Sequence, residues 1–283
     1  MNILSIQSSV AYGHAGNSSA VFPLQRLGFE VWPVNTVLFS NHTGYGAWRG
    51  RVFDGPAIED LVAGIAERGV LGTCDGVLSG YMGSADIGHA ILSAVAGVRT
   101  ANPRALYCCD PVIGDVGRGV FVRPGIPEFM RDRAMPAADI ATPNQFELGF
   151  LTETEPADLG STLAAVDRAR EMGPSTVLVT SVLRPDRPSD TIEMLACHED
   201  EAWIVRTPHL PLKANGSGDV TAALFTTHWL RTRDLRVSLE RTVSSVFALL
   251  QATLDSGRRE LQLVQSQEAF AHPACAFTAE RVR

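Results

Sequence analysis

No stretch of this 283-residue chain is apolar for long enough to span a bilayer, so no membrane partner is expected. Basic clusters are missing too. The formal net charge is −7, and no run of Lys and Arg offsets it locally, which excludes the phosphate-backbone grip of a nonspecific nucleic-acid binder. A small anion held by backbone amides is not excluded. The opening residues MNILSIQSSV lack the basic start and extended apolar core of a secretory signal, so a first β-strand and a cytoplasmic location are expected. Cysteine is sparse and odd in number: Cys74, Cys108, Cys109, Cys197 and Cys275 show no CxxC spacing. Reduced, mostly buried thiols are expected rather than a metal or redox centre.

What remains is an ordinary globular balance, 45% hydrophobic and 19% charged, in a chain long enough for one full core. One α/β domain over residues 1–283 is expected. Short apolar runs alternate with helical stretches. The segment 2–7 reads as a strand and 17–28 as a helix stopped by Gly28; 74–84 and 85–98 repeat the pattern. It recurs at 104–114, 138–151, the helix 158–172 and the strand 175–182. Such alternation predicts a mostly parallel sheet covered by helices on both faces. The run 30–39 looks extended, although Pro33 argues against a regular central strand. At 191–208 two strand-like segments flank the polar HEDE, which predicts a hairpin and an antiparallel edge. Two long helices, 218–232 and 235–256, follow.

In open α/β sheets the ligand crevice lies beyond the strand C-termini. The polar residues that end each apolar run therefore form one candidate set: Ser8, Tyr81, Asp110, Thr142, Asn144, Glu147 and Thr180. A second candidate is local. In NGSGD, residues 215–219, the glycines permit unusual dihedrals and close backbone approach just where an apolar helix begins. The amides of Gly216, Ser217, Gly218 and Asp219 can point at an anion, helped by the helix dipole. Asp219 then reads in two ways: as an acid favoured by that dipole in a first helical turn, or as a base fixed beside an anion hole. The loop is neither GxxxxGK[ST] nor GxGxxG.

GSGD with its helix, CDPVIGD (109–115) and TPNQFE (142–147) resemble the ribokinase-like superfamily, a three-layer α/β/α fold. IQSSVAYGHAGNSSA, SNHTGYG and LSGYMGS narrow the resemblance to pyridoxal kinases, above all the bacterial PdxY-type class, over most of the chain. The resemblance implies transfer of the ATP γ-phosphate to the 5′-hydroxyl of pyridoxal. Asp219 would be the catalytic base, with Gly216, Ser217 and Gly218 cradling the phosphate. Asp110 and Glu147, with Asn144 in an NxxE pattern, would serve Mg²⁺ and the triphosphate, partly through water. Asp115 is a further candidate for that cluster. Ser8, Thr43, Gly44 and Tyr81 would hold the substrate ring, with His42 in the same loop. Thr142, Thr180 and Thr207, Pro208, His209 and Leu210 would contact nucleotide. A monovalent cation such as K⁺ and a homodimer are implied by the resemblance alone.

The sequence also departs from that pattern. Gly44 stands where close relatives often carry glutamine, Thr180 where some carry lysine, and Val120 where some carry an aldehyde-reactive cysteine. Covalent capture of pyridoxal through the flap-like stretch 114–125 is therefore not expected, while its glycines permit a lid. Two rival readings stay open at this level: a hydroxymethylpyrimidine kinase of the same superfamily, and a noncatalytic protein that binds B6 vitamers on the same fold.

Overall fold

A computed structural model describes residues 1–273 and 276–283; Cys275, one of the thiols expected to be reduced and mostly buried, lies outside the described residues. The chain alternates as the sequence predicts. β1 (Asn2–Val10) leads into α1 (Asn17–Arg26), β2 (Glu30–Phe39), β3 (Gly50–Val52) and α2 (Gly55–Ala66). Next come β4 (Cys74–Ser79), α3 (Ala85–Ala101) and β5 (Leu106–Cys109), then a small hairpin of β6 (Gly114–Asp115) and β7 (Gly119–Val120). A bent helical segment carries α4 (Ile126–Phe129) and α5 (Met135–Ala137), and β8 (Ile140–Ala141), α6 (Gln145–Thr152), α7 (Leu159–Met172) and β9 (Thr176–Val182) follow. The last part holds β10 (Thr191–His198), β11 (Glu201–Pro208), α8 (Ser217–Thr232), α9 (Leu235–Asp255), α10 (Gln267–Ala271) and β12 (Glu280–Arg281).

Ten strands form one sheet in the order β12-β11-β10-β9-β8-β5-β4-β1-β2-β3. The six inner strands from β9 to β2 run parallel. The predicted hairpin is β10 and β11, antiparallel on one side. The short β3 adds a second antiparallel edge that the sequence did not announce. Pro33, which argued against a regular central strand, pairs with Ser5 in β2, next to the sheet edge, and the pairing of β2 with β1 shifts register just beyond it, between Asn35 and Leu38. It is tolerated because β3 reaches only Val37 to Phe39, so Pro33 sits on an uncovered stretch where no neighbour needs its missing N–H.

Successive strand residues divide the core. Val77, Cys109, Ala141 and Val177 face the layer that includes α2, α3, α6 and α7, whereas Leu78, Cys108, Ile140 and Leu178 face α1, α8 and α9. Both faces are therefore buried, and the parallel strands are short apolar runs for that reason. α8 is buried without interruption from Val220 to Leu230, packed between α1, α9 and the sheet. A helix so enclosed is a rigid mount for whatever its first turn carries. Among the described residues no helix is long and apolar enough to cross a membrane.

Candidate active site

The strand C-termini open into a cavity of about 610 Å³. All seven strand-end candidates line it: Ser8 in β1, Tyr81 after β4, Asp110 after β5, Thr142, Asn144 and Glu147 after β8, and Thr180 in β9. Thr43 and His42 border it from a 3₁₀ turn over Thr43–Tyr45, and Gly216, Gly218 and Asp219 close its far end. A second cavity of about 500 Å³ adjoins it, lined by Ser217 and by Thr207, Pro208, His209 and Leu210. Thr180 and Gly218 belong to both. Gly44 lines neither; its N–H donates to His42 Nδ1 at 3.0 Å. A wider depression of about 860 Å³ beside Phe146, Gly149 and Pro156 holds none of the candidate residues.

The glycine turn behaves as its composition demands. Gly216 has φ 84, and a side chain there would run into the His14 carbonyl. Ser19 Oγ donates to the Gly216 carbonyl at 2.9 Å, tying the turn to the start of α1. The N–H groups of Ser217, Gly218 and Asp219 lie in the first turn of α8, where no intrahelical acceptor exists. Asp219 projects from that turn, and its Oδ2 accepts the Gly16 N–H at 2.8 Å. Burial pushes its carboxyl up to about 6, against the pull of that N–H.

Two further carboxyls sit on the same wall. Thr142 Oγ1 donates to Asp110 Oδ1 at 2.9 Å. Burial raises Asp110 well above the usual carboxylate range, and the negative charges of Glu147 and Asp219 raise it further. Glu147 is pushed up to about 7 by burial, opposed by the N–H groups of Ile113, Asn144 and Gly114. Those bonds measure 2.9, 2.9 and 3.4 Å. Asn144 Oδ1 returns the contact by accepting Glu147 N–H at 2.9 Å, a reciprocal helix cap for α6. Glu147 is thus a structural cap and a cavity wall at once.

Among the described residues no three His, Cys, Asp or Glu side chains could hold a metal by themselves. A hard cation that keeps most of its waters fits this wall better than a caged one: the charges acting on Asp110 are other carboxylates, and Glu147 has already committed both oxygens to amides. Mg²⁺ bound through water and phosphate oxygens suits that donor set.

Several lining groups escaped the sequence reading. Arg118, on the β6–β7 hairpin, lines both cavities, beside the already expected Asp115, which lines both as well. A lone cation inside a glycine-rich hairpin was the available signal. Val243, Val246, Phe247 and Leu250 of α9 wall the second cavity. Tyr81 is held by Thr36 Oγ1, which donates to its carbonyl at 2.8 Å; burial raises its phenol, with Arg123 opposing. Val120 is 45% exposed and lines neither cavity.

Comparisons with known proteins agree with this geometry. Residues 73–263 match the family model described as phosphomethylpyrimidine kinase. Over 282 residues the chain is 62% identical to pyridoxal kinase PdxY of Leifsonia xyli subsp. xyli, covering 100% of both. It is 60% identical over 283 residues to pyridoxal kinase PdxY of Rubrobacter xylanophilus, covering 100% of this chain and 98% of that one. A solved structure of pyridoxal kinase from Leishmania donovani, in complex with ADP and pyridoxamine, superposes with a TM-score of 0.93 at 29% identity, covering 100% of this chain and 99% of the other.

Proposed function

We propose that this chain, which belongs to the PdxY-type pyridoxal kinase family, transfers the γ-phosphate of ATP to the 5′-hydroxyl of pyridoxal, giving pyridoxal 5′-phosphate in vitamin B6 salvage. The observation that carries the reading is the place of Asp219: a fixed carboxylate at the mouth of an amide-lined helix start, where two cavities meet. The substrate ring occupies the larger acid-walled cavity against Ser8, Thr43 and Tyr81. Its hydroxyl gives a proton to Asp219 as the phosphoryl group crosses, and the first-turn amides of α8 hold the charge that develops. Nucleotide occupies the second cavity, its base against the apolar face of α9 and its phosphates towards Gly218. Asp110 and Glu147 would hold Mg²⁺ through water, and the ion would neutralise triphosphate charge. A monovalent cation such as K⁺ assists, the β6–β7 hairpin excludes water, and the chain works as a single domain and a homodimer in the cytoplasm.

The family model's description keeps one rival reading in view, a hydroxymethylpyrimidine substrate. One assay separates the two. Magnesium-dependent ATP consumption is measured with pyridoxal and with hydroxymethylpyrimidine, for the wild type and Asp219→Ala. Product from pyridoxal alone, lost in the variant, is expected. Turnover of the pyrimidine alone, or none from folded protein that still binds pyridoxal, would overturn the assignment.

A further inference from the structure

Past Gly257, which closes α9 at φ 63, the chain turns back towards the substrate cavity and presents two charged side chains that the chemistry leaves without a role. Arg259 Nη2 donates to the Gly44 carbonyl at 2.7 Å, and the guanidinium lies 3.7 Å from the centroid of the Tyr45 ring. Tyr45 donates its hydroxyl to Glu260 Oε1 at 2.7 Å, which pushes the phenol up to about 12. The other oxygen, Oε2, accepts the His14 N–H at 3.0 Å. Gly13, at φ +85, lies against that carboxylate so closely that a side chain there would displace it.

The two loops leave β1 and β2 side by side, joined by the Tyr12 N–H that donates to the Ser40 carbonyl at 2.9 Å, and one Glu260 carboxylate ties them together again further out, at His14 and Tyr45. Both loops border the cavity: His42 and Thr43 belong to the first, Ala15 to the second. The second continues to Gly16, whose N–H holds Asp219. The aromatic edge contact of Tyr12 with Tyr45, ring centroids 6.2 Å apart, joins the same loops from outside.

We propose that Arg259 and Glu260 are positioning residues, a clasp that holds the two substrate-side loops in register around the pyridoxal ring without touching it. The inference rests on the reading of the larger cavity as the pyridoxal site. The second cavity is walled by the hairpin β10–β11 and α9 and receives nothing from the clasped loops, so the effect is one-sided. In Glu260→Ala, Tyr45 and His14 each lose a charge-assisted partner, and the KM for pyridoxal is expected to rise about tenfold while that for ATP stays within about twofold. Glu260→Gln, which keeps the shape and one acceptor, should recover part of the loss. Tyr45→Phe added to Glu260→Ala should cost nothing more, because the two changes delete the same bond.

Steady-state kinetics of these variants, with amide hydrogen exchange over residues 11–16 and 40–47, test the clasp. Faster exchange in both loops together with the one-sided KM change supports it. An unchanged pyridoxal KM, or equal rises in both KM values, overturns it. Should Glu260→Ala not fold, Glu260→Gln and Tyr45→Phe carry the same comparison. If the wild type does not phosphorylate pyridoxal, the functional reading falls, and exchange alone decides the clasp: unaltered loops in Glu260→Gln and Tyr45→Phe would overturn it.

Discussion

The acid floor of the larger cavity and the hairpin that hangs over it are neighbours built by opposite means. On the floor, Asp110, Glu147 and Asp219 sit at strand ends and helix starts, and backbone N–H groups fix two of them: three hold Glu147 and one holds Asp219. On the hairpin, Gly117 and Gly119 adopt φ 78 and 68 with open space around them, while Val116, Arg118 and Val120 are exposed. The floor cannot shift without breaking buried hydrogen bonds; the hairpin has few such bonds to break. The proposed reaction would draw its fixed base from the floor and leave access to the less tethered hairpin.

The sharpest way to break this comparison is at Asp219. Asp219→Ala should lower kcat by about 10²–10⁴-fold, the usual contribution of a positioned base, with little change in the KM for ATP. Single-turnover measurement of pyridoxal 5′-phosphate formation checks it; a mild loss would mean that the fixed carboxylate is only a helix-start residue. The pH profile follows from the same group. Its carboxyl is raised to about 6, and only the deprotonated form accepts a proton, so kcat/KM for pyridoxal should climb as pH rises through about 6 and level off above. A profile flat across that window at saturating ATP would contradict the assignment.

How much of this was legible in the sequence follows the same division. Parallel strands buried on both faces write themselves as apolar runs, so the polar residue that ends each run, from Ser8 to Thr180, could be named and falls on one cavity. The GSGD turn was legible because only glycine fits beside His14 at Gly216. What could not be read were contacts made across long separations. Gly16 meets Asp219 across 203 residues and Glu260 meets Tyr45 across 215. Nor does composition reveal that Glu147 spends its oxygens on amides, or that one side of α9 faces a cavity rather than core. Nor does it reveal that the Gly44 N–H donates to His42 and its carbonyl accepts from Arg259.

Arg118 tests the hairpin directly. It is the hairpin's cation, and it borders both cavities, as does Thr180, where the sequence lacks the lysine that some relatives carry. Arg118→Gln should lower kcat roughly tenfold to a hundredfold by removing charge beside the transferred phosphoryl group, with partial recovery in Arg118→Lys. Thermal stability should not change, because the side chain is exposed. An effect confined to stability would make the hairpin a structural part and erase the contrast with the floor.

The smallest effect is expected at Val120, and it sharpens the contrast from the other side. Val120 shares the hairpin with Arg118, yet it is 45% exposed and borders neither cavity. A thiol placed there by Val120→Cys would reach the pyridoxal aldehyde only if the hairpin moved from the position it holds. We therefore expect kcat and both KM values to stay within about twofold, as for an exposed surface change, and the aldehyde absorbance of bound pyridoxal to be unaltered. Loss of that absorbance would show that β7 swings over the ring during turnover. The hairpin's part in the comparison would then extend from access into substrate capture.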